Sequence, residues 1–99
     1  MNLEWRRRAH ADLADLVAFI AADDPAAAYR VHDAIILKVA LLLRHPDIGR
    51  PGRVRGTREL VVTGTPYIVA YRAASDLVTV LRILHGARRW PDWIRQQTA

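Results

Sequence analysis

Apolar and polar positions divide the chain into two regimes with different periods. From Arg6 the period is helical: Leu13, Leu16, Val17 and Ile20 fall at i, i+3, i+4 and i+7, one stripe of a 3.6-residue repeat. Asp24-Pro25 predicts a boundary, with Asp24 as N-cap and Pro25 at the first position of a second helix. That helix runs from Pro25 to about Arg44. Ala28, Val31, Ile35, Val39 and Leu42 form one face, and Ile36, Leu37, Leu41 and Leu43 widen it until the last turns are apolar almost all round. Such a helix end suits either the core or an oligomer contact. His45-Pro46 stops the helix, because the residue before proline disfavours the helical region.

Residues 46–57 read as a loop punctuated by Pro46, Gly49, Pro51, Gly52 and Gly56. Beyond it the period becomes two. Strands are expected over Arg58–Thr63, Pro66–Arg72 and Leu77–His85, with a hairpin connection at Gly64-Thr65-Pro66 and a turn at Ala73–Asp76. Asn2–Trp5 is a short β-compatible segment, and Pro91 opens a short terminal helix anchored by Trp90, Trp93 and Ile94. The expected fold is α+β, a single domain over residues 1–99 in the order β-α-α-β-β-β. An antiparallel sheet packs one face on a helix hairpin.

A hydrophobic fraction of 52% supplies an ordinary core, and 25% charged residues argue against a disordered tail. The chain has no cysteine, which excludes disulfides and Cys-based zinc or redox sites. No apolar run is long enough to span a membrane, and the basic start runs into Asp12 and Asp15 rather than a signal-peptide core. A cytoplasmic location with no membrane partner is the expectation.

Charge changes the picture more. Of the fifteen basic residues fourteen are Arg, Lys38 being the exception, and the net charge is +5. Residues 1–49 hold six basic and seven acidic side chains, whereas residues 50–99 hold nine and three. The second half therefore suits an anionic partner, since guanidinium stays charged and grips phosphate or carboxylate through a planar fork.

Strand parity predicts where these arginines point. Arg58 shares a face with Leu60 and Val62, Arg72 with Ile68 and Ala70, and Arg82 with Val78, Val80 and Leu84. Arginine beneath helices is costly to desolvate. Arg58, Arg72 and Arg82 are thus expected on the uncovered face as a cationic groove rimmed by Arg53 and Arg55. The alternative pairs each with a local acid such as Glu59 or Asp76. Tyr67 and Tyr71 fall on the opposite face, beneath the helices.

Several segments resemble the RelE/ParE toxins of bacterial type II toxin–antitoxin pairs: AHADLADL (Ala9–Leu16), HPDIGRPG (His45–Gly52), GTRELVV (Gly56–Val62), PYIVAYR (Pro66–Arg72) and VLRILHGARRWP (Val80–Pro91). The likeness covers nearly the whole chain in order. It implies a toxin that inhibits growth, a co-encoded antitoxin that wraps the toxin in a hetero-oligomer, and no cofactor. It implies one of two targets: DNA gyrase for ParE-like members, or messenger RNA on the ribosome for RelE-like endoribonucleases.

Cutting RNA needs a base, an acid and cations for the charged transition state. Arginine serves only the last role. The loop before Arg58 carries Arg53 and Arg55 but no lysine, and no His or Tyr follows His85. A nuclease reading therefore rests on His85 as base with Arg58 and Arg82 as phosphate clamps. Otherwise His85 anchors the turn at Gly86. The residues favour the ParE-like reading, with the nuclease second and a basic nucleic-acid-binding module without toxin role third. Target binding is expected at Arg53, Arg55, Arg58, Arg72, Arg82 and Arg88, with Trp90 and Trp93 as packing anchors or as contacts to target or antitoxin. His10, His32 and His45 lack metal-ligand spacing, so no metal site is expected.

Overall fold

A computed structural model of the protein describes residues 1–86. The elements run β1 (Asn2–Trp5), α1 (Arg7–Asp23), α2 (Pro25–Leu41), β2 (Arg50–Pro51), β3 (Arg58–Val61), β4 (Tyr67–Ala74) and β5 (Leu77–His85). The α+β class and the order of elements stand as the periodicity predicts, with one addition. Within the 46–57 loop, Arg50 and Pro51 pair with Glu59 and Arg58 as a two-residue edge strand. So short a strand, ending in proline, carries no periodic signal. The predicted terminal helix, with Arg88, Trp90 and Trp93, lies outside the described residues.

Asp24 alone joins the helices and serves both. Its backbone N–H donates to the Ile20 carbonyl at 2.9 Å, closing α1, and its side chain accepts from the Ala27 N–H at 3.1 Å, opening α2. Pro25 follows at the first position of α2, where its missing N–H costs nothing. Regular α2 ends at Leu41, short of the predicted Arg44. Leu43 and Arg44 donate to Ala40 and Leu41 in a tighter i→i−3 turn that carries the same path onward.

The sheet order is β1-β5-β4-β3-β2. β2 to β5 are antiparallel neighbours, but β1 lies parallel to β5, Asn2 opposite Leu77 and Trp5 opposite Val80. The expected antiparallel sheet is thus mixed. Its first strand sits beside the last, and the helix pair lies between them in the chain.

The helices cover one face. Ala9, Leu16, Ile35, Val39 and Leu42 from the helical segment meet Val62, Val69, Tyr71, Val78, Val80 and Ile83 in one core. Tyr67 packs against that core and Tyr71 is fully buried in it, as parity predicts. A smaller cluster of Val54, Ala70, Leu81 and Leu84 occupies the other face. The two faces part through a bulge. Ala70 pairs with Arg82 but Tyr71 pairs with Val80, so Leu81 is the extra residue. The bulge separates Arg82 and Leu84 from the alternation that holds Val78 and Val80 in the helix-side core, which simple parity had placed together.

Candidate functional site

Three predicted groove residues, Arg58, Arg72 and Arg82, have three different fates. Arg58 pairs with Tyr71, and its neighbour Leu60 with Val69, all on the helix side of the sheet. There the Arg58 Nη1 donates to the carbonyls of Gly49 at 2.8 Å and Asp47 at 3.3 Å, and Nη2 lies 3.8 Å from the Asp47 carboxylate. Parity placed Arg58 with Leu60 and Val62 correctly. That face is the helix side rather than the uncovered one, and Arg58 is accommodated there because its guanidinium satisfies itself on loop carbonyls beside the helix layer.

Tyr71 completes the same clamp. Its hydroxyl donates to the Pro46 carbonyl at 2.7 Å and accepts from the Gly49 N–H at 2.9 Å. Burial pushes the Tyr71 phenol above its ordinary pKa, opposed by the Gly49 hydrogen bond and by the Arg58 charge. Gly49 is required here, since a Cβ would lie 2.6 Å from the Tyr71 hydroxyl and 2.7 Å from its ring. Arg58 and Tyr71 thus fasten the turn that follows α2.

Arg82 reaches the opposite edge of the sheet. β1 pairs with β5 only as far as Val80, and α1 then supplies Asp12. The Asp12 carboxylate accepts from Arg82 Nε at 2.6 Å, Arg82 Nη2 at 2.9 Å and the Ile83 N–H at 3.0 Å. Both side chains are largely buried. Composition and parity along β5 do not reveal Asp12. The signal lay in α1, where Ala9, Asp12 and Leu16 share inward helical spacing.

Arg72 lies half-buried on the face away from the helices, between inward Tyr71 and Ala73 and opposite Thr79. The continuous cationic groove is therefore not formed. Its floor is the apolar cluster of Ala70, Leu81 and Leu84, over which the loop lays Val54. Beside it stands a buried carboxylate. Glu59 accepts the Arg53 N–H at 2.9 Å and pairs with Arg53 Nε at 3.4 Å and Arg50 Nη2 at 3.6 Å. Arg53 also donates to the Gly86 carbonyl at 3.3 Å. The expected role of Glu59 as an ion-pair partner holds, with Arg50 and Arg53 as its partners rather than its neighbour Arg58. Arg55 is exposed on the loop.

His85 is exposed at the end of β5, where its ring meets that of Tyr67 edge-on with centroids 5.9 Å apart. The turn at Gly86 is held by its own N–H to the Pro66 carbonyl at 2.8 Å. His10 stacks on Trp5, and His32 Nδ1 lies 3.1 Å from Asp33. Among the described residues, no three His, Asp or Glu side chains are grouped to hold a metal ion, and no helix is long and apolar enough to cross a membrane.

Residues 3–90 match the family of the ParE toxin of type II toxin–antitoxin systems, parDE. The chain belongs to the ParE toxin family. Its sheet, capped on one face by two helices, is a fold that this family shares with solved relatives. A chain from the chromosomal ParDE toxin–antitoxin system of P. aeruginosa superposes with a TM-score of 0.78 at 28% identity, covering 86% of this chain and 95% of that one. A Sinorhizobium fredii protein named "Putative toxin Y4kP" is 43% identical over 91 residues, 92% of this chain and 94% of its own length. Toxin RelE2 of Caulobacter vibrioides is 41% identical over 86 residues, 85% of this chain and 93% of its own. For this ParE-family chain, the described residues make both Arg58 and Arg82 parts of the scaffold.

Proposed function

We propose that this ParE-family toxin arrests growth by binding DNA gyrase, without cutting nucleic acid, and that a co-encoded antitoxin neutralises it. The carrying observation is the engagement of Arg58 and Arg82. A hydrolytic site built on His85 would need both guanidiniums on one phosphate. Arg58 instead holds the Asp47–Gly49 turn on β3, and Arg82 is closed on Asp12 at the far edge of β5. With β4 between these strands, their backbones stand about 10 Å apart.

The surface left for a target is the face away from the helices. Arg50, Arg53, Arg55 and Arg72 supply guanidinium charge around the apolar floor of Leu81 and Leu84. The cluster is itself buried, so guanidinium charge, which steers and positions an anionic partner, is what this face offers. Arg88, Trp90 and Trp93 belong to the same proposal on sequence grounds. The antitoxin partner is supported by family membership and by the ParDE origin of the solved relative.

The test is inducible expression with transcript mapping, together with a supercoiling assay on purified protein and gyrase. The reading expects inhibited supercoiling, trapped cleaved DNA and intact messenger RNA, with weaker inhibition in the double variant Arg55→Ala/Arg72→Ala. Translation-dependent cuts in transcripts with unaffected gyrase overturn it. Co-expression of the adjacent reading frame is expected to restore growth.

A further inference from the structure

α2 buries Ala28, and places Ile35 and Val39 in the core with the sheet, yet its outer face is not polar. Tyr29 is 73% exposed and Leu37 71%, and Ile36 and Leu41 each 38%. Ala40 lies exposed among them, small enough to admit a close neighbour. The exposed positions of α1, by contrast, are mostly Ala, Arg, Asp and His, with Phe19 the exception. A helix apolar on both sides has a second surface to bury.

The order of these residues is self-complementary. Ile36, Leu37, Ala40 and Leu41 are spaced symmetrically about the middle of the Lys38–Val39 bond. When a second α2 is laid antiparallel about that point, Leu37 falls over Ala40 of the second copy and Ile36 beside its Leu41. Asp33 and Arg44 are equally distant from the midpoint, on opposite sides, and both are exposed. The tight turn after Leu41 keeps Arg44 on the helical path. Each Asp33 therefore meets Arg44 of the other copy, and the two symmetry-related ion pairs bracket the apolar quartet. Among the described residues, the ion pair Asp33 makes is with His32, at 3.1 Å. A parallel pairing would set Asp33 against Asp33 and Arg44 against Arg44, so charge selects the antiparallel arrangement.

We propose that the outer face of α2 is a self-association surface on which a second copy of this chain docks antiparallel, closing a two-fold dimer. The contact is isologous, so it closes at two copies and does not propagate. A groove of about 320 Å³ between α2 and the end of β3, lined by Ala34, Leu37, Lys38, Leu41, Val62 and Thr63, adjoins the seam and gives apolar side chains of the second copy a place to enter. The target face lies on the other side of the sheet and stays open in such a dimer, so the inference stands apart from the choice of target.

Sedimentation equilibrium of the purified full-length chain tests it. The wild type is expected to show a reversible monomer–dimer equilibrium. Leu37→Glu raises the dissociation constant by at least about tenfold, because a carboxylate then enters the seam. Asp33→Arg and Arg44→Asp each weaken the dimer, and the double variant Asp33→Arg/Arg44→Asp restores it. Far-UV circular dichroism and a thermal melt establish that each variant is folded, which exposed positions allow. A chain that is monomeric at its highest soluble concentration, as it is when this face serves only a different protein, overturns the proposal. So does a dimer indifferent to Leu37→Glu or a charge swap that restores nothing.

Discussion

Arg82 and Asp12, seventy residues apart in sequence, meet through two parallel hydrogen bonds of 2.6 and 2.9 Å, and the same carboxylate caps the Ile83 N–H. The bidentate geometry is the strong form of this pair. Its position explains its use. β1 leaves the edge of β5 after Val80, and the amide of Ile83 needs an acceptor that none of the described strands provides there.

Removing either partner leaves a charge in a largely buried site. Asp12→Ala and Arg82→Ala are each expected to lower unfolding free energy by about 3 kcal/mol. The double variant should lose clearly less than the sum, and urea denaturation of all four proteins measures the coupling. A loss of toxicity in Arg82→Ala would therefore report lost stability and is not by itself a sign of catalysis.

Tyr71→Phe deletes the donor to Pro46 and the acceptor of Gly49 while keeping the ring. The expected cost is about 1–3 kcal/mol, because the Gly49 N–H stays buried without its partner. The hydroxyl also sets an alkaline limit. Its folded pKa is raised, so above the ordinary tyrosine value of about 10 the unfolded chain releases this proton first and is favoured. The hydroxyl's contribution is full below that pH and falls as pH rises toward the folded value. Between the ordinary value and the raised folded one, stability should fall less steeply with pH in Tyr71→Phe than in wild type.

Gly49→Ala places a methyl group against the same ring. Contacts of 2.6 Å to the hydroxyl and 2.7 Å to Cε1 force the turn or the ring to move, at a cost of about 1–3 kcal/mol. Tyr71→Phe does not rescue it, since the ring carbon remains. Thermal melts of the single and double variants show whether the defect persists.

Glu59→Ala removes the anchor of the loop between β2 and β3. Arg53 loses the acceptor of its N–H, and Arg50 loses its counter-charge. The expected result is faster hydrogen exchange at the Arg53 amide and greater exposure of Val54, with the helix-side core still protected. Protection unchanged at Arg53 would show that other contacts hold this loop.

Much of this architecture was legible in the chain, because period and punctuation agree over α1, α2, β3, β4 and β5. Tyr67 and Tyr71 were placed beneath the helices by alternation alone. The arginines were harder. Alternation states which side chains share a face, and for Arg58 it did so correctly. It cannot state whether carbonyls wait on that face, and the carbonyls of Asp47 and Gly49 do. At Arg82 one extra residue, Leu81, interrupted the alternation, and a bulge has no hydropathy signature. Asp12 comes from a distant segment, seventy residues from Arg82, so only the folded chain brings it to its cation, whereas Glu59 reaches Arg50 and Arg53 from within the same loop and strand. β2 was invisible because two residues have no period.

The first strand can add only to the last. Asn2–Trp5 finds its neighbour in Leu77–Val80, so the sheet lacks its outermost member until almost every described residue has been synthesised. A growing polypeptide must carry that leading segment unpaired while the helices and hairpins form behind it, a long-range closure that makes assembly slow. For a molecule that harms the cell making it, late completion leaves an interval in which a neutralising partner can meet the chain before the finished surface exists.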